Sequence, residues 1–234
     1  MRLDKFFTSS GILSRSQCAK EAKAGLITVD GEIVRDPSVN IDPVKNTIAY
    51  KGEIIGYSEF VYIVMNKPLG FVCSNDEPGE KLVFDLLDRK YGRLDLFTVG
   101  RLDKATDGLI IITNDGKTAH AALSPKHHVE KVYEYSLAVP LSEEDRISLE
   151  KGAVLKDGYE TKPCVIEKTS PTEGRITLSE GKYHQIRRMF ASVSNRVVSL
   201  RRVSFGKITL DPSLLPGQYR LMTDEEINNF KSRD

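Results

Sequence analysis

The pattern of apolar and polar positions over residues 1–56 predicts two short helices followed by four short strands. The apolar residues of RLDKFFTSS recur at helical spacing, and a second helix is expected between an N-cap at Ser14 and a C-cap at Gly25. LITVDGEIV and TIAYKGEII alternate as strands do, and Asp30-Gly31 is a strong hairpin signal. A unit of this size has a small core and one basic helical face, which favours a binding module.

A second, longer pattern over residues 60–234 predicts more strands than helices, after a linker in GYSEF. Strands are expected in VYIVMNK before a turn at Pro68 and Gly70, at 97–103, at 109–113 after a turn at 104–108, and in EKVYEYSLAV, TKPCVIEKT, GRITLSE, RVVSLRRV and KITLD. Helices are expected in KLVFDLL, from about Lys117, in SEEDRISLEKG with Ser142 as N-cap, in HQIRRMFASVSN and in TDEEINNF. We predict a mixed, largely antiparallel α+β domain.

The helix expected in HQIRRMFASVSN has one apolar side. That side is formed by residues at i, i+3, i+4 and i+7, namely Ile186, Met189, Phe190 and Val193. The adjacent Arg187 and Arg188 would point about 100° apart. Only one of these two arginines can therefore easily reach a given group beside the helix.

Composition places the chain among ordinary globular proteins. Of its 234 residues 40% are hydrophobic and 29% charged, and no apolar run approaches the roughly 18 residues of a membrane span. The start MRLDKFFTSS lacks the apolar core of a signal peptide, and three scattered cysteines argue against a disulfide framework. We expect a cytoplasmic protein that does not enter a membrane. The pair His127–His128 is expected to be solvated or hydrogen-bonded rather than to bind a metal.

The basic residues are concentrated in two islands, although the net charge is only +1. The first island lies in residues 1–25 and contains Arg2, Lys5, Arg15, Lys20 and Lys23. The second lies in residues 182–207, contains no acid, and comprises Lys182, His184, Arg187, Arg188, Arg196, Arg201, Arg202 and Lys207. Apolar and aromatic residues interleave with these charges, so we expect both islands to face a polyanion.

The segment GRLDKATDGLIIITNDG places Asp103 between Arg101 and Lys104. A calcium loop is excluded, because Ala105 and Asn114 occupy positions that need an oxygen ligand and a bidentate glutamate. The two cations would also repel magnesium. They would instead keep Asp103 ionised, which makes it a candidate nucleophile or base. For Asp107 and Asp115, which follow in the same segment, we expect the structural role of capping a turn.

This segment resembles the signature of RNA pseudouridine synthases. Three further segments resemble other motifs of this family, and the four segments occur in the order that the family has. MNKPLGFVCS is similar to the first family motif, EKVYEYSL to the segment of the active-site tyrosine, and EGKYHQIRRMF to the segment of the basic partner. MRLDKF, SPKHHVEKVY and TKP are most similar to the bacterial small-subunit rRNA type, the RsuA type. The N-terminal unit resembles an S4 RNA-binding domain. The resemblance implies an S4-like domain over 1–56 and a pseudouridine synthase domain over 60–234.

The resemblance implies that Asp103 is the catalytic carboxylate, that Tyr133 stacks on the flipped base, and that Arg187 is the cation paired with Asp103. It also implies that the carboxylate either adds to the sugar or removes a sugar proton. One departure is Asp107, which stands where the family usually has a small hydroxyl residue. A second carboxylate so close would disfavour ionisation of the first unless Lys104 or another neighbour offsets it.

Isomerisation of uridine needs no redox change and no phosphoryl transfer, so we expect no cofactor and no metal. The base must leave the stack, which requires an aromatic platform and a basic channel. We expect RNA contacts from Arg2, Lys5, Arg15, Lys67, Arg101, Lys182, His184, Arg188, Arg201 and Arg202.

We predict that the substrate is 16S rRNA, within a small-subunit assembly intermediate, and that the enzyme is a monomer. Two alternatives are a 23S rRNA enzyme of the same subfamily and a non-catalytic RNA-binding protein of ribosome assembly.

Overall fold

The computed structural model describes residues 1–56, 60–124 and 129–232, and the chain divides into two compact units. The first unit comprises Met1–Val61 and Leu87–Leu96, and the second comprises Tyr62–Leu86 and Phe97–Asp234. Part of the expected linker GYSEF and the pair His127–His128 lie outside the described residues. The grouping of Leu87–Leu96 with the first unit has no signal in the sequence pattern.

The first unit is a four-stranded antiparallel sheet with two helices. Its elements are α1 (Leu3–Ser9), α2 (Arg15–Lys23), β1 (Ile27–Val29), β2 (Glu32–Ile33), β3 (Ile48–Tyr50) and β4 (Glu53–Ile54), in the sheet order β2-β1-β3-β4. Ser14 caps α2 in a capping box with Gln17, as its position predicts. Asp30 and Gly31 both have positive φ, which is the conformation that a two-residue hairpin turn of type I′ requires.

The second unit is built on one large mixed sheet. The strands of this unit are β5 (Tyr62–Lys67), β6 (Phe71–Val72), β7 (Lys81–Leu82), β8 (Phe97–Thr98), β9 (Asp107–Thr113), β10 (Lys131–Leu137), β11 (Val165–Lys168), β12 (Glu173–Leu178), β13 (Val197–Phe205), β14 (Ile208–Thr209) and β15 (Tyr219–Leu221). Of these, β6 and β7 pair with each other in a separate two-stranded sheet. The helices of the unit are α3 (Gly116–Leu123), α4 (Glu143–Lys151), α5 (Gln185–Ser192) and α6 (Asp224–Lys231). The main sheet has the order β11-β12-β10-β13-β9-β5-β15, with β14 beside β13 and β8 beside β9.

Most neighbouring strands are antiparallel, which confirms the predicted α+β class. The buried residues of α5 pack with those of β10, β11, β12 and β13 into one core that includes Met189 and Phe190. None of the helices in the described ranges is long and apolar enough to cross a membrane.

The pairing of β9 with β13 is parallel and short. It joins Asp107 to Arg201 and Gly108 to Arg202. Gly108 has φ +99°, and a Cβ at this position would collide with the carbonyl oxygen of Arg202. Only glycine therefore allows β9 and β13 to approach this closely.

Three local predictions were wrong. The strand expected at 97–103 ends at Thr98, because Gly100 takes a positive φ, and the next strand begins at Asp107 instead of 109. KLVFDLL forms β7 and then a single 3₁₀ turn at Val83–Leu86 in place of a helix. The pattern also missed the short strands β6 and β15.

Candidate active site

A cavity of about 380 Å³ in the second unit brings together the residues singled out by the sequence. Asp103, Tyr133 and Arg187 all line it, although they come from three separate segments. Predicted RNA contacts that also line it are Arg101, Lys182 and His184. The backbone that forms the walls is the loop 100–106 between β8 and β9, the middle of β10, and the segment from the end of β12 into α5.

Lys67 holds the loop that carries Asp103 through hydrogen bonds to main-chain carbonyl groups. This lysine is fully buried, and its Nζ donates to the carbonyl oxygens of Pro68 (3.2 Å), Asp103 (3.1 Å) and Thr106 (2.8 Å). Burial lowers the pKa of Lys67, and the charges of neighbouring groups that include Asp107 and Asp103 oppose this effect. Because all three donors of an ammonium are engaged, the prediction that Lys67 contacts RNA was wrong, and its role is to shape the loop.

Two further hydrogen bonds donated by main-chain N–H groups hold the loop. The N–H of Thr106 donates to the carbonyl of Asp103 at 3.0 Å, which closes a tight turn. The N–H of Leu102 donates to the Sγ of Cys73, a buried cysteine, at 3.5 Å. The carboxylate of Asp103 is therefore presented on a turn whose main chain is fixed on both sides.

A histidine side chain lies beside the Asp103 carboxylate. Nε2 of His184 lies 3.4 Å from Oδ1 of Asp103. His184 precedes α5 in the left-handed conformation (φ +50°), and its ring stacks on Tyr183 with centroids 3.9 Å apart. The sequence predicted an RNA contact for His184 and missed its position beside Asp103, since the turn before α5 has no signal in the spacing.

Arg187 lies in the cavity wall but does not pair with Asp103, so the expected direct ion pair was wrong. Its Nη2 donates to the carbonyl of Ala105 at 2.7 Å and its Nη1 to that of Val197 at 3.1 Å. The guanidinium thus ties the loop 100–106 to the start of β13. A planar fork with several donors suits this bridging of two carbonyls.

Arg188 points away from this cavity, as the angle between the two arginines predicts. Its Nη2 forms an ion pair with Asp157 at 2.6 Å, and its Nη1 donates to the carbonyl of Tyr183 at 3.3 Å. It is not among the residues that line the cavity. Arg187 is therefore the member of the pair that reaches the Asp103 loop.

The charges expected to flank Asp103 are arranged differently. Lys104 forms an ion pair with Glu80 and not with Asp103. Asp107 is paired with Arg201, whose Nη1 lies 2.7 Å from its carboxylate. Of the two options that the sequence left open, Lys104 or another neighbour, the second applies, because Arg201 pairs with the carboxylate of Asp107.

The three aspartates of the signature segment do not converge. Asp103 is in the cavity, Asp107 pairs with Arg201, and Asp115 caps α3 by accepting from the N–H of Thr118 at 3.0 Å. Asp115 also accepts from the hydroxyl of Tyr62. In the described part of the chain, no group of three His, Cys, Asp or Glu side chains could hold a metal ion.

The other predicted RNA contacts have varied surroundings. Arg2 is paired with Asp4 at 2.8 Å, whereas Lys5 and Arg15 are exposed on the two helices of the first unit. Arg202 is only 2% exposed, and its Nε donates to the carbonyl of Leu109 at 2.7 Å. Arg202 therefore does not lie on an open surface as the charge pattern suggested.

A residue that the sequence reasoning missed is Glu180, which organises the wall between β12 and α5. Its carboxylate accepts from the hydroxyl of Tyr159 (2.7 Å), the N–H of Lys162 (2.9 Å) and Nε2 of Gln185 (2.6 Å). Its place directly before the second basic island is the one signal that could have indicated it.

Two known protein families match the chain. The family described as RNA pseudouridylate synthase matches residues 61–192, and the S4 domain family matches residues 1–44. The chain is 42% identical over 229 residues to ribosomal small subunit pseudouridine synthase A of Escherichia coli strain K12, which covers 97% of this chain and 98% of that protein.

Two further relatives extend the comparison. An uncharacterized RNA pseudouridine synthase of Bacillus subtilis strain 168 is 42% identical over 232 residues, which is 97% of each chain. A solved pseudouridylate synthase structure is 38% identical, with a TM-score of 0.70 over 98% of this chain and 99% of that one. The chain therefore belongs to the RNA pseudouridylate synthase family and is an RNA pseudouridine synthase with an N-terminal S4 domain.

Proposed function

We propose that this enzyme converts one specific uridine of small-subunit (16S) rRNA to pseudouridine, with Asp103 as the catalytic carboxylate. The observation that carries the proposal is the convergence of Asp103, Tyr133 and Arg187 on one cavity. The choice of small-subunit rRNA is supported by the relative in Escherichia coli, which is similar over nearly its whole length.

The reaction breaks the bond between N1 of uracil and C1′ of ribose and forms a bond between C5 and C1′. The proton on C5 is lost, and N1 gains a proton. No electrons are exchanged with another molecule. The protein must therefore supply a reactive carboxylate, a surface that holds the detached base, and exclusion of bulk water.

The residues of the cavity match these needs. Asp103 supplies the carboxylate, and the hydrogen bonds from Lys67 and Thr106 hold its main chain in place. Tyr133 offers the aromatic ring on which the flipped base stacks. Arg187 acts on the site through the carbonyls of Ala105 and Val197, so it is a positioning residue that keeps the Asp103 loop against β13.

The proposal extends to the organisation of the whole chain. The N-terminal domain, over 1–56, supplies affinity for rRNA, and the domain over 60–234 supplies the chemistry. The S4 match over residues 1–44 and the exposed Lys5 and Arg15 support this division. We place the enzyme in the cytoplasm, acting as a monomer on a small-subunit assembly intermediate.

The target is tested by mapping pseudouridines in rRNA from cells with and without the gene. We expect one pseudouridine of 16S rRNA to disappear on deletion and to return with the wild-type gene. Loss of a site in 23S rRNA instead would assign the enzyme to the large subunit.

The role of Asp103 is tested by tritium release from RNA that carries 5-labelled uridine. Asp103→Asn keeps the side-chain volume but removes the reactive oxygen, so it should abolish release and leave RNA affinity unchanged. Asp76→Asn alters an exposed carboxylate and serves as the control. Activity of Asp103→Asn within tenfold of wild type, about 1.4 kcal/mol in barrier height, would refute the assignment.

A further inference from the structure

A second cavity of about 270 Å³ adjoins the candidate active site. The two cavities share Arg101, Tyr133 and Lys182 in their walls. Beyond Tyr133 the second cavity is lined by Lys131, Arg202 and Phe205. Tyr133 therefore lines both the cavity that holds Asp103 and a second cavity with five cations and one carboxylate, that of Glu180.

Arg202 has an incomplete set of hydrogen bonds in this cavity. The residue is 2% exposed, its Nε donates to Leu109, and its buried Nη2 has no hydrogen-bond partner among the described residues. A buried cationic donor without an acceptor is destabilising, because it has lost water and gained nothing in exchange. Because Arg202 lines the cavity, the charge of a bound anion would offset part of this penalty.

Lys131 places a second cation beside the first. Its Nζ lies 5.4 Å from the centroid of the Phe205 ring, and the guanidinium of Arg202 lies 5.5 Å from the same centroid. Burial and the charge of Arg202 lower the pKa of Lys131 to about 8, against the opposing charge of Glu180. The two cations thus repel each other, and each lacks a direct carboxylate partner in the described residues.

Glu180 does not neutralise this pair by direct contact. It is the one acid among the described residues that line the cavity, and its carboxylate is engaged by Tyr159, Lys162 and Gln185. The remaining charged lining residues are cations, namely Arg101, Lys162 and Lys182. The cavity therefore favours an anion with several acceptor oxygens.

We propose that Arg202 and Lys131 form a subsite for one phosphodiester group of the substrate RNA, adjacent to the nucleotide whose base stacks on Tyr133. Lys131 and Tyr133 are two residues apart on β10 and so share a face, at a spacing of about 7 Å. The subsite rests on the proposed function for its substrate. It adds an anchor that fixes the RNA strand next to the flipped nucleotide.

The test is a scan of neutral methylphosphonate linkages through a 16S rRNA fragment that contains the mapped uridine. RNA affinity is measured for wild type, Lys131→Gln and Lys131→Arg, each first checked for folding by thermal denaturation. We expect one linkage beside the uridine to weaken wild-type binding about tenfold. The same linkage should weaken Lys131→Gln less, about threefold, because this variant has lost one of the two phosphate contacts and keeps that of Arg202.

Lys131→Arg keeps the charge and should show most of the wild-type loss at that linkage. Lys156→Gln removes an exposed lysine outside both cavities and should behave as wild type. Equal losses in wild type and Lys131→Gln, or no position-specific loss, would overturn the subsite. Competition by inorganic phosphate without any linkage effect would indicate a free-anion site and would also overturn it.

Because affinity is the readout, the subsite and the proposed function fail in different ways. A linkage effect without turnover would contradict the assignment of this rRNA as the substrate. Normal turnover without a linkage effect would contradict the subsite alone.

Discussion

Nε2 of His184 lies 3.4 Å from Oδ1 of Asp103, so a histidine adjoins the candidate catalytic carboxylate. The ring is supported by its stack on Tyr183, which is itself 74% exposed. If this contact orients the carboxylate, His184→Leu should lower kcat about tenfold and change KM less than threefold. His184→Gln retains a hydrogen-bond donor and should recover part of the rate.

Steady-state kinetics with the rRNA substrate separate these effects. A rise in KM alone for His184→Leu would show that the ring contacts RNA without orienting Asp103.

Arg187 and Arg188 should differ in their effects on turnover. Loss of the bridge from Arg187 to Ala105 and Val197 lets the Asp103 loop move, so Arg187→Met should lower kcat about 100-fold. Arg187→Lys keeps the charge but cannot span both carbonyls, so partial activity is expected. Arg188→Met is the matched control and should weaken RNA binding while leaving kcat at saturating RNA nearly unchanged. A larger loss of kcat in Arg188→Met would reverse the assignment.

Gly108→Ala should destabilise the second unit far more than Gly158→Ala. Both glycines have positive φ, but a Cβ at Gly108 meets the backbone of Arg202, whereas a Cβ at Gly158 meets nothing within 4 Å. Gly158→Ala therefore measures only the cost of holding alanine at positive φ, about 1–2 kcal/mol in the free energy of unfolding. Gly108→Ala should cost more than about 3 kcal/mol in unfolding free energy and should abolish activity. Equal values in urea denaturation would show that β9 and β13 can separate without consequence.

Asp115 should stabilise the fold at neutral pH and lose this effect in acid. Burial alone would raise the pKa of Asp115, but hydrogen bonds from Thr118 and Tyr62 hold it below its ordinary value. A folded-state pKa below the unfolded value gives stability that is present above about pH 4 and is lost as the pH falls through the folded pKa. Asp115→Asn keeps an acceptor oxygen for the cap of α3 and loses only the negative charge. It should therefore lower the free energy of unfolding by about 1–2 kcal/mol at pH 7.

Denaturation curves of wild type and Asp115→Asn should therefore converge below pH 4. Asp76→Asn should follow wild type at every pH. A difference that stays constant down to pH 3 would exclude the carboxylate charge as the cause.

The salt dependence of RNA binding should reveal the contribution of the first unit. Each phosphate contact with single-stranded RNA adds about 0.7 to the slope of log affinity against log salt. The double variant Lys5→Gln, Arg15→Gln should therefore reduce that slope by about 1.4, with kcat at saturating RNA unchanged. Lys156→Gln removes one exposed positive charge outside the first unit, so it is the control and should leave the slope unchanged. An unchanged slope in the double variant would place the phosphate contacts elsewhere.

Elements set by local chemistry were predicted well from the sequence. The hairpin at Asp30-Gly31, the cap of α2 at Ser14 and the buried side of α5 depend on residues within a few positions of one another. The loop 100–106 was predicted poorly, because its shape comes from Lys67 and Cys73, which lie far away in sequence.

The site was predicted as a set of residues but not as a set of contacts. The motifs identified Asp103, Tyr133 and Arg187, and all three line one cavity. Which side chain approaches Asp103 depends on the backbone turn at His184, and whether Lys67 and Arg202 face solvent depends on which elements pack over the sheet. Charge patterns along a sequence carry no information on either point.

The short parallel pairing of β9 with β13 determines when during synthesis the enzyme can become active. Asp103 and Asp107 leave the ribosome long before Arg187, which holds the Asp103 loop, and Arg201, which pairs with Asp107. A nascent chain that ends before β13 has the candidate catalytic carboxylate but no partner strand to fix its loop. The S4 segment, residues 1–44, is made first. The nascent protein therefore acquires its RNA-binding module early and its reactivity only when nearly all of the chain has emerged.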